Sequence, residues 1–259
     1  MTVRYHLAPP IAELIIDRPA ARNALGPDEW RRLADGVAAA ARDDQVRVLV
    51  VRGEGDHFSA GGDVKTMPER LEQPAAERQA RLHADFQIVR ALRELPKPVL
   101  ASIDGSCVGA GLSLALACDL RLASARSRFG AVFHRLGLSG DFGILQLLPR
   151  AIGPARALEL LLLGDVINAE RAERIGLVHR VVLPEELPQA TGQLAARLAE
   201  LPPVAVGLTK AGFERALDHD LATTLAWEAM AQAITSRTDD AHEGLRALAE
   251  KRPPRFAGR

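Results

Sequence analysis

VLASIDGSCVGAGLSLALACDLRLAS, residues 99–124, joins an apolar strand, a glycine-rich turn, a helical run and a second strand without a break. The preceding "PKP" (96–98) disfavours helix and feeds extended backbone into "VLASID" (99–104). "GSCVGAG" (105–111) reads as a turn, "LSLALAC" (112–118) as helix and "DLRLAS" (119–124) as strand. Strand, helix and strand in succession predict an α/β domain with parallel strand pairs, since parallel neighbours need a crossover between them.

The flanking sequence extends this pattern. "IAELIID" (11–17) and "VRVLVVRG" (46–53) read as strands, the second almost continuously apolar and so buried on both faces. "GPDEWRRLADGVAAAARDD" (26–44) opens with Pro27 and two acids, a helix-start signature. "PAAERQARLHADFQIVRALREL" (74–95) is a second long helix with Leu82, Phe86 and Val89 on one stripe. From about residue 184 the pattern is helical to the end, punctuated by Pro202 and Pro203. Such an appendage docks on another subunit or folds back on its own core. The expected division is an α/β core over 1–200 and a helical oligomerisation region over 201–259.

Composition narrows the function. The 259-residue chain carries 33 basic and 33 acidic side chains, so no global field would gather nucleic acid or an anionic membrane. There is no apolar run long enough to span a bilayer, and the first residues lack a signal-peptide pattern, which predicts a cytoplasmic protein. Cys107 and Cys118 lie among small apolar residues without metal or redox spacing and read as buried hydrophobes. No metal site is expected.

Two loops stand out. "HFSAGGDVK" (57–65) and "GSCVGAGLSLALACD" (105–119) each place Gly, Ala and Ser where a strand ends. Small residues let a ligand reach the main chain, so amide N–H groups can become the binding surface. The second loop leads into a helix, whose N-terminal partial positive charge favours a developing anion. Known glycine-rich patterns fit poorly. A dinucleotide fingerprint would need glycine at Leu114, and a P-loop would need a lysine that is absent. "GLSLA" approaches a nucleophile elbow at Ser113, but its last position is Ala115 and Ser113 falls inside the helical run, leaving an esterase-like hydrolase as an alternative.

Together these loops resemble the enoyl-CoA hydratase/isomerase (crotonase) family. The resemblance runs through "IDRPAARNAL" (16–25), "FSAGGDVKTM" (58–67), "LPKPVLASIDGSCVGAGLSLALACDLRLAS" (95–124), "FGAVFHRLGLSGDFGILQLLPRAIG" (129–153) and "EKRPPRF" (250–256). It implies a crotonase-like core of repeated ββα units, a C-terminal helical region, a homotrimer or homohexamer, and a coenzyme A thioester substrate with no separate cofactor. It also implies that two backbone N–H groups, assigned to Ala60 and Ala110, hold the thioester oxygen. Gly61, Gly62, Asp63 and Gly109 would line the channel, Arg22 and Lys65 would contact phosphate or adenine, and Lys251 would reach a neighbouring subunit's CoA phosphate. The ordinary alternative for those three cations is surface charge. Removing a proton beside a thioester puts negative charge on its oxygen, which preorganised amides stabilise.

The family's hydratases use two glutamates, and their places here hold Ser113 and Phe133. Phenylalanine moves no proton, so two-carboxylate hydration is disfavoured. Asp141, within "GLSGDFG" (137–143), falls where dienoyl-CoA isomerases and ring-modifying isomerases of phenylacetate breakdown carry an aspartate. Facing Phe133 and Phe142, it should have a raised pKa and serve as a proton carrier. Ser113 is a candidate hydrogen bonder to substrate, although helix hydroxyls commonly bond their own turn. His83 and His134 are read as structural or outward-pointing, and His57 as exposed. The leading expectation is an enoyl-CoA isomerase. The alternatives are a hydratase, hydrolase or ring-cleaving enzyme using Asp141 to activate water, and a catalytically weak acyl-CoA-binding protein.

Overall fold

The computed structural model describes residues 2–259. Its strands in chain order are β1 (Val3–Ala8), β2 (Ile11–Ile16), β3 (Val48–Gly53), β4 (Val99–Ile103), β5 (Ser106–Val108), β6 (Leu120–Ser124), β7 (Arg128–Gly130), β8 (Val166–Asn168) and β9 (Arg180–Val182). The helices are α1 (Pro27–Arg42), α2 (Met67–Leu71), α3 (Ala75–Glu94), α4 (Ala110–Ala117), α5 (Ile144–Ile152), α6 (Pro154–Leu163), α7 (Ala169–Arg174), α8 (Leu187–Ala199), α9 (Pro203–Ala216), α10 (Leu221–Thr235) and α11 (Asp239–Ala249).

One sheet runs β1-β2-β3-β4-β6-β9, and a small second sheet runs β5-β7-β8. After the antiparallel β1–β2 hairpin every pairing in the large sheet is parallel. This is the expected crotonase-like α/β architecture. Strand β3 shows why its sequence is almost wholly apolar. Leu49 and Val51 join the main core with Trp30, Leu33 and Val37 of α1, while Val48 and Val50 face Leu187, Ala195 and Ala199 of α8. Alternate side chains point to opposite faces, and both faces are covered.

Local chemistry explains the main boundaries. Helix α1 begins at Pro27, where Glu29 Oε2 accepts the Gly26 N–H at 2.8 Å. Helix α4 begins at Ala110, two residues before the expected start, because Gly109 (φ 54°) turns the chain sharply. The expected turn over 105–111 also contains strand β5. Strands β5, β7, β8 and β9 are only three residues long and carry no alternation to read.

Beyond α8 the C-terminal helices fold back on their own chain. Lys210 of α9 donates to Leu92 O (2.9 Å) and Lys97 O (3.1 Å) and pairs with Asp119 at 2.8 Å, with only 9% of its side chain exposed. Arg93 pairs with Glu214, Arg150 pairs with Asp218, and Arg47 donates to Phe256 O. Among the described residues no helix is long and apolar enough to cross a membrane.

Lys210→Met should leave two carbonyls without their donor and Asp119 with only Val99 N–H and the more distant Arg93, lowering stability by about 3 kcal/mol. Urea unfolding should show an earlier midpoint with an unchanged slope; an unchanged midpoint would reject this tether.

Candidate active site

The first loop, residues 58–63, is held on both sides by main-chain bonds. On one side Phe58 N donates to Asp104 O (2.7 Å), Ser59 N to Ser106 O (2.8 Å), and Val108 N returns to Ser59 O (3.1 Å). On the other, Leu25 N donates to Gly61 O (2.8 Å) and Asp63 N to Leu25 O (3.0 Å), a parallel bridge of Leu25 with Gly62. These bonds decide which amides remain for a ligand. The Ala60 N–H, the donor expected from sequence, is already bonded to Arg22 O at 2.9 Å. Gly61 N–H donates to Ser59 Oγ at 3.1 Å. Gly62 has the one N–H between residues 60 and 63 with no partner among the described residues. Extended backbone points successive amides to opposite sides, so the bridge that uses Asp63 N–H leaves Gly62 N–H facing away. The amide left open on this loop is therefore that of Gly62 and not the expected Ala60.

Ala110, the other residue expected to donate, has an unbonded N–H among the described residues. It is the first residue of α4, where helix geometry leaves N–H groups unpaired, and the positive end of the helix lies there. Gly109 N–H is bonded to Gly130 O at 2.9 Å, but Ala110 N–H has no partner among the described residues. The two loops touch closely. A Cβ on Gly61 (φ 88°) would sit 2.8 Å from Val108 O and 3.4 Å from Ala110 N, so only glycine fits. Nearby Cys107 is fully buried, which drives its thiol well above the usual range and excludes a nucleophilic role.

Both amides line a cavity of about 270 Å³. Its apolar walls include Leu25, Trp30, Leu82, Val132, Phe133 and Phe142. Asp141 is the one acid lining it among the described residues. The Asp141 Oδ1 is buried without a hydrogen-bond partner. Burial pushes its pKa up to about 6, while Arg70 and Arg78, which also line the cavity, pull it down.

Several contacts hold Asp141 in place. Its carbonyl accepts Ser113 Oγ at 3.0 Å and Ile144 N at 3.2 Å. The next residue, Phe142, has φ 49°, a strained conformation for a bulky side chain. It is clamped between Trp30, stacked with ring centroids 4.0 Å apart, and Phe86, edge-on at 4.6 Å.

The first loop has its own support in "RPAARN" (18–23). Asn23 is fully buried; its Oδ1 accepts Arg18 N (2.9 Å) and its Nδ2 donates to Glu54 O (2.9 Å). Ser59 Oγ donates to Asn23 O at 2.8 Å. Arg18 pairs with Asp63 at 2.8 Å.

The structure thus gathers Ala60, Gly61, Gly62, Gly109, Ala110, Phe133 and Asp141 around one cavity. It separates others expected there. Asp63 is buried against Arg18; burial raises its pKa, but hydrogen bonds from Arg18 and Lys65 N–H outweigh this and lower it overall. It is a loop anchor. Ser113 is fully buried behind the wall, where its hydroxyl bonds main chain instead of facing a ligand. Arg22, Lys65 and Lys251, expected on phosphate or adenine and not inside the cavity, are exposed at the surface. His57 is half-buried, its Nδ1 accepting Ser106 N at 3.3 Å, whereas His83 is exposed and His134, also exposed, bonds Leu161 O through Nδ1. Sequence reasoning missed Arg70 and Arg78, which look like surface arginines on charged helices.

Because folding raises the Asp141 pKa, the folded chain holds an extra proton between about pH 4 and 6 and loses stability as pH rises through that window. Asp141→Asn should therefore be more stable than the wild type at pH 8, by up to ~2 kcal/mol, and near parity below pH 4. Thermal melts across pH that show the reverse order would contradict the buried, unpaired carboxylate.

A family model described as enoyl-CoA hydratase/isomerase matches residues 8–259. The chain is 38% identical over 247 residues to a crotonyl-CoA hydratase of Syntrophomonas wolfei, covering 95% of this chain and 94% of that protein. It is 35% identical to the 1,2-epoxyphenylacetyl-CoA isomerase of Escherichia coli, covering 98% and 97% respectively. The crystal structure of an enoyl-CoA hydratase from Bacillus anthracis superposes with a TM-score of 0.94 at 30% identity, covering 100% of each chain. With the family model matching nearly the whole chain and the fold shared along its length, the chain belongs to the enoyl-CoA hydratase/isomerase family.

Proposed function

We propose that this enzyme shifts the double bond of an enoyl-CoA ester, with Asp141 as the single proton carrier. The observation that carries this reading is the lone carboxylate, with its Oδ1 unpartnered and its pKa about 6, in the cavity lined by the Gly62 and Ala110 amides. The thioester oxygen accepts both N–H groups. Asp141 takes a proton from C2 of a 3-enoyl ester, and the electron pair moves onto the thioester oxygen. The same carboxyl returns the proton to C4, the double bond settles between C2 and C3, and no atom is gained or lost. Amides held rigidly in place stabilise the enolate more than the ground state. A carboxyl that titrates near pH 6 can both accept and return a proton.

Hydration is the second reading, favoured by the likeness to a crotonyl-CoA hydratase. There Asp141 would activate water, without a second acid among the described lining residues to share the work. An acyl-CoA hydrolase or ring-cleaving enzyme would use Asp141 in the same way. A weakly catalytic acyl-CoA binder is the third reading, and it predicts tight ester binding with no turnover.

We also propose assembly as a homotrimer or homohexamer through the 201–259 region. Its helices leave large apolar side chains in solvent, with Phe213 60%, Leu221 71% and Leu248 76% exposed. Light scattering that returns the mass of one protomer would reject this.

Ultraviolet assays with 3-enoyl, 2-enoyl and dienoyl CoA esters separate the chemical readings. Isomerisation without water addition is expected, with an acid limb in kcat/KM near pH 6. Asp141→Asn should keep ester binding and lose at least ~100-fold in kcat. Gly62→Ala retains its N–H, and its Cβ would lie 3.6 Å from the Met67 methyl, so activity should persist. Gly62→Pro removes the N–H and should cost ~100–1000-fold in kcat. Full activity in Asp141→Asn or Gly62→Pro would refute the respective role.

A further inference from the structure

We infer that the Asp141 end of this cavity is an anion subsite, in which Arg70 and Arg78 pair with a carboxylate carried by the acyl group. The substrate class is then a CoA ester whose acyl part bears a second acid function. This rests on the acyl-CoA reading above and deepens it.

The place of two arginines in the cavity wall carries the inference. Several partly buried arginines pair with an acid, as Arg18 does with Asp63, Arg93 with Glu214 and Arg150 with Asp218, while Arg47 and Arg121 are held by main-chain carbonyls. Arg70, from α2, and Arg78, from α3, face the cavity with no carboxylate within 4.0 Å among the described residues. Arg78 Nη1 donates to Arg70 O at 2.8 Å, which orients that guanidinium and leaves its other N–H groups for a ligand. Arg70 donates no side-chain hydrogen bond within the described structure. Asp85 acts on Arg70 electrostatically but does not pair with it, and its own buried Oδ2 is unpartnered.

Charge count points the same way. The lining holds two guanidinium groups and one carboxylate, and that carboxylate is protonated for part of the time near neutral pH. An otherwise apolar cavity with surplus positive charge penalises a simple alkyl chain, which leaves both cations desolvated and unpaired. A carboxylate on the chain removes that penalty, and planar guanidinium is the group best suited to grip it through two parallel hydrogen bonds. Both arginines act on Asp141 electrostatically, which sets them at the reacting end of the ligand.

Calorimetric binding of saturated esters tests this without turnover. Succinyl-, glutaryl- and adipyl-CoA are compared with butyryl-, pentanoyl- and hexanoyl-CoA, with free CoA as reference. The wild type should bind at least one acidic ester ~10–100-fold more tightly than its neutral counterpart. Arg70→Gln and Arg78→Gln should each erase most of that preference, Arg78→Lys should restore part of it, and free CoA should bind all variants alike. Equal affinity for acidic and neutral esters in the wild type overturns the inference while leaving the isomerase reading intact. A matching loss for free CoA would assign the arginines to the coenzyme's phosphates and also overturn it. If the arginines only keep Asp141 ionised, the variants will move the pH limb and leave the ester preference unchanged, which again overturns it. Failure of every ester and of free CoA to bind would defeat the acyl-CoA reading itself.

Discussion

The site depends on the main-chain docking of residues 58–63 between the 22–25 turn and the end of β4. Bonds to the carbonyls of Arg22, Leu25, Asp104 and Ser106 and to Ser59 Oγ consume every other amide of that loop and leave Gly62 N–H. The start of α4 leaves Ala110 N–H for a different reason, since a helix cannot satisfy its own first donors. Both donors are thus residues of a rigid bonding scheme, fixed before any ligand arrives. Preorganisation of this kind is what makes backbone amides effective against a developing oxyanion, because nothing has to rearrange as the charge forms.

Asp141 illustrates the opposite economy. Its carboxyl sits where burial disfavours ionisation, on a turn whose next residue occupies the left-handed region. The aromatic clamp of Trp30 and Phe86 on Phe142, and the Ser113 hydroxyl on the Asp141 carbonyl, hold that conformation. A site that keeps an acid unpaired sacrifices stability to keep it reactive. The two arginines limit how far the pKa climbs while offering charge to a ligand.

Much of the fold was legible. Strands β2, β3, β4 and β6 and helices α1 and α3 lie where apolar runs and helix-start chemistry put them. Strand β1 and the three-residue strands were not, since β1 is largely exposed and the short ones are defined only by their partners. At the site, Asp141 between small residues and both loops could be picked out as candidates. The amide assignment could not: Ala60, Gly61 and Gly62 are equivalent small residues until Arg22, Ser59 and Leu25 claim their bonds. Ser113 and Asp63 were read as ligand contacts because polar groups near a glycine loop face either way, and packing turned both inward.

Sequence by itself determined the alternation of strand and helix, the position of two loops without bulky side chains, and the supply of one acid where hydratases carry two. Those are properties of residue type and local order, expressed within a few positions of one another. Only the tertiary structure decided which amides stay unbonded, that Arg70 and Arg78 share a wall with Asp141, and how far burial raises that carboxyl's pKa. Each of these depends on groups distant along the chain competing for the same hydrogen bonds or excluding the same water, which no local pattern records.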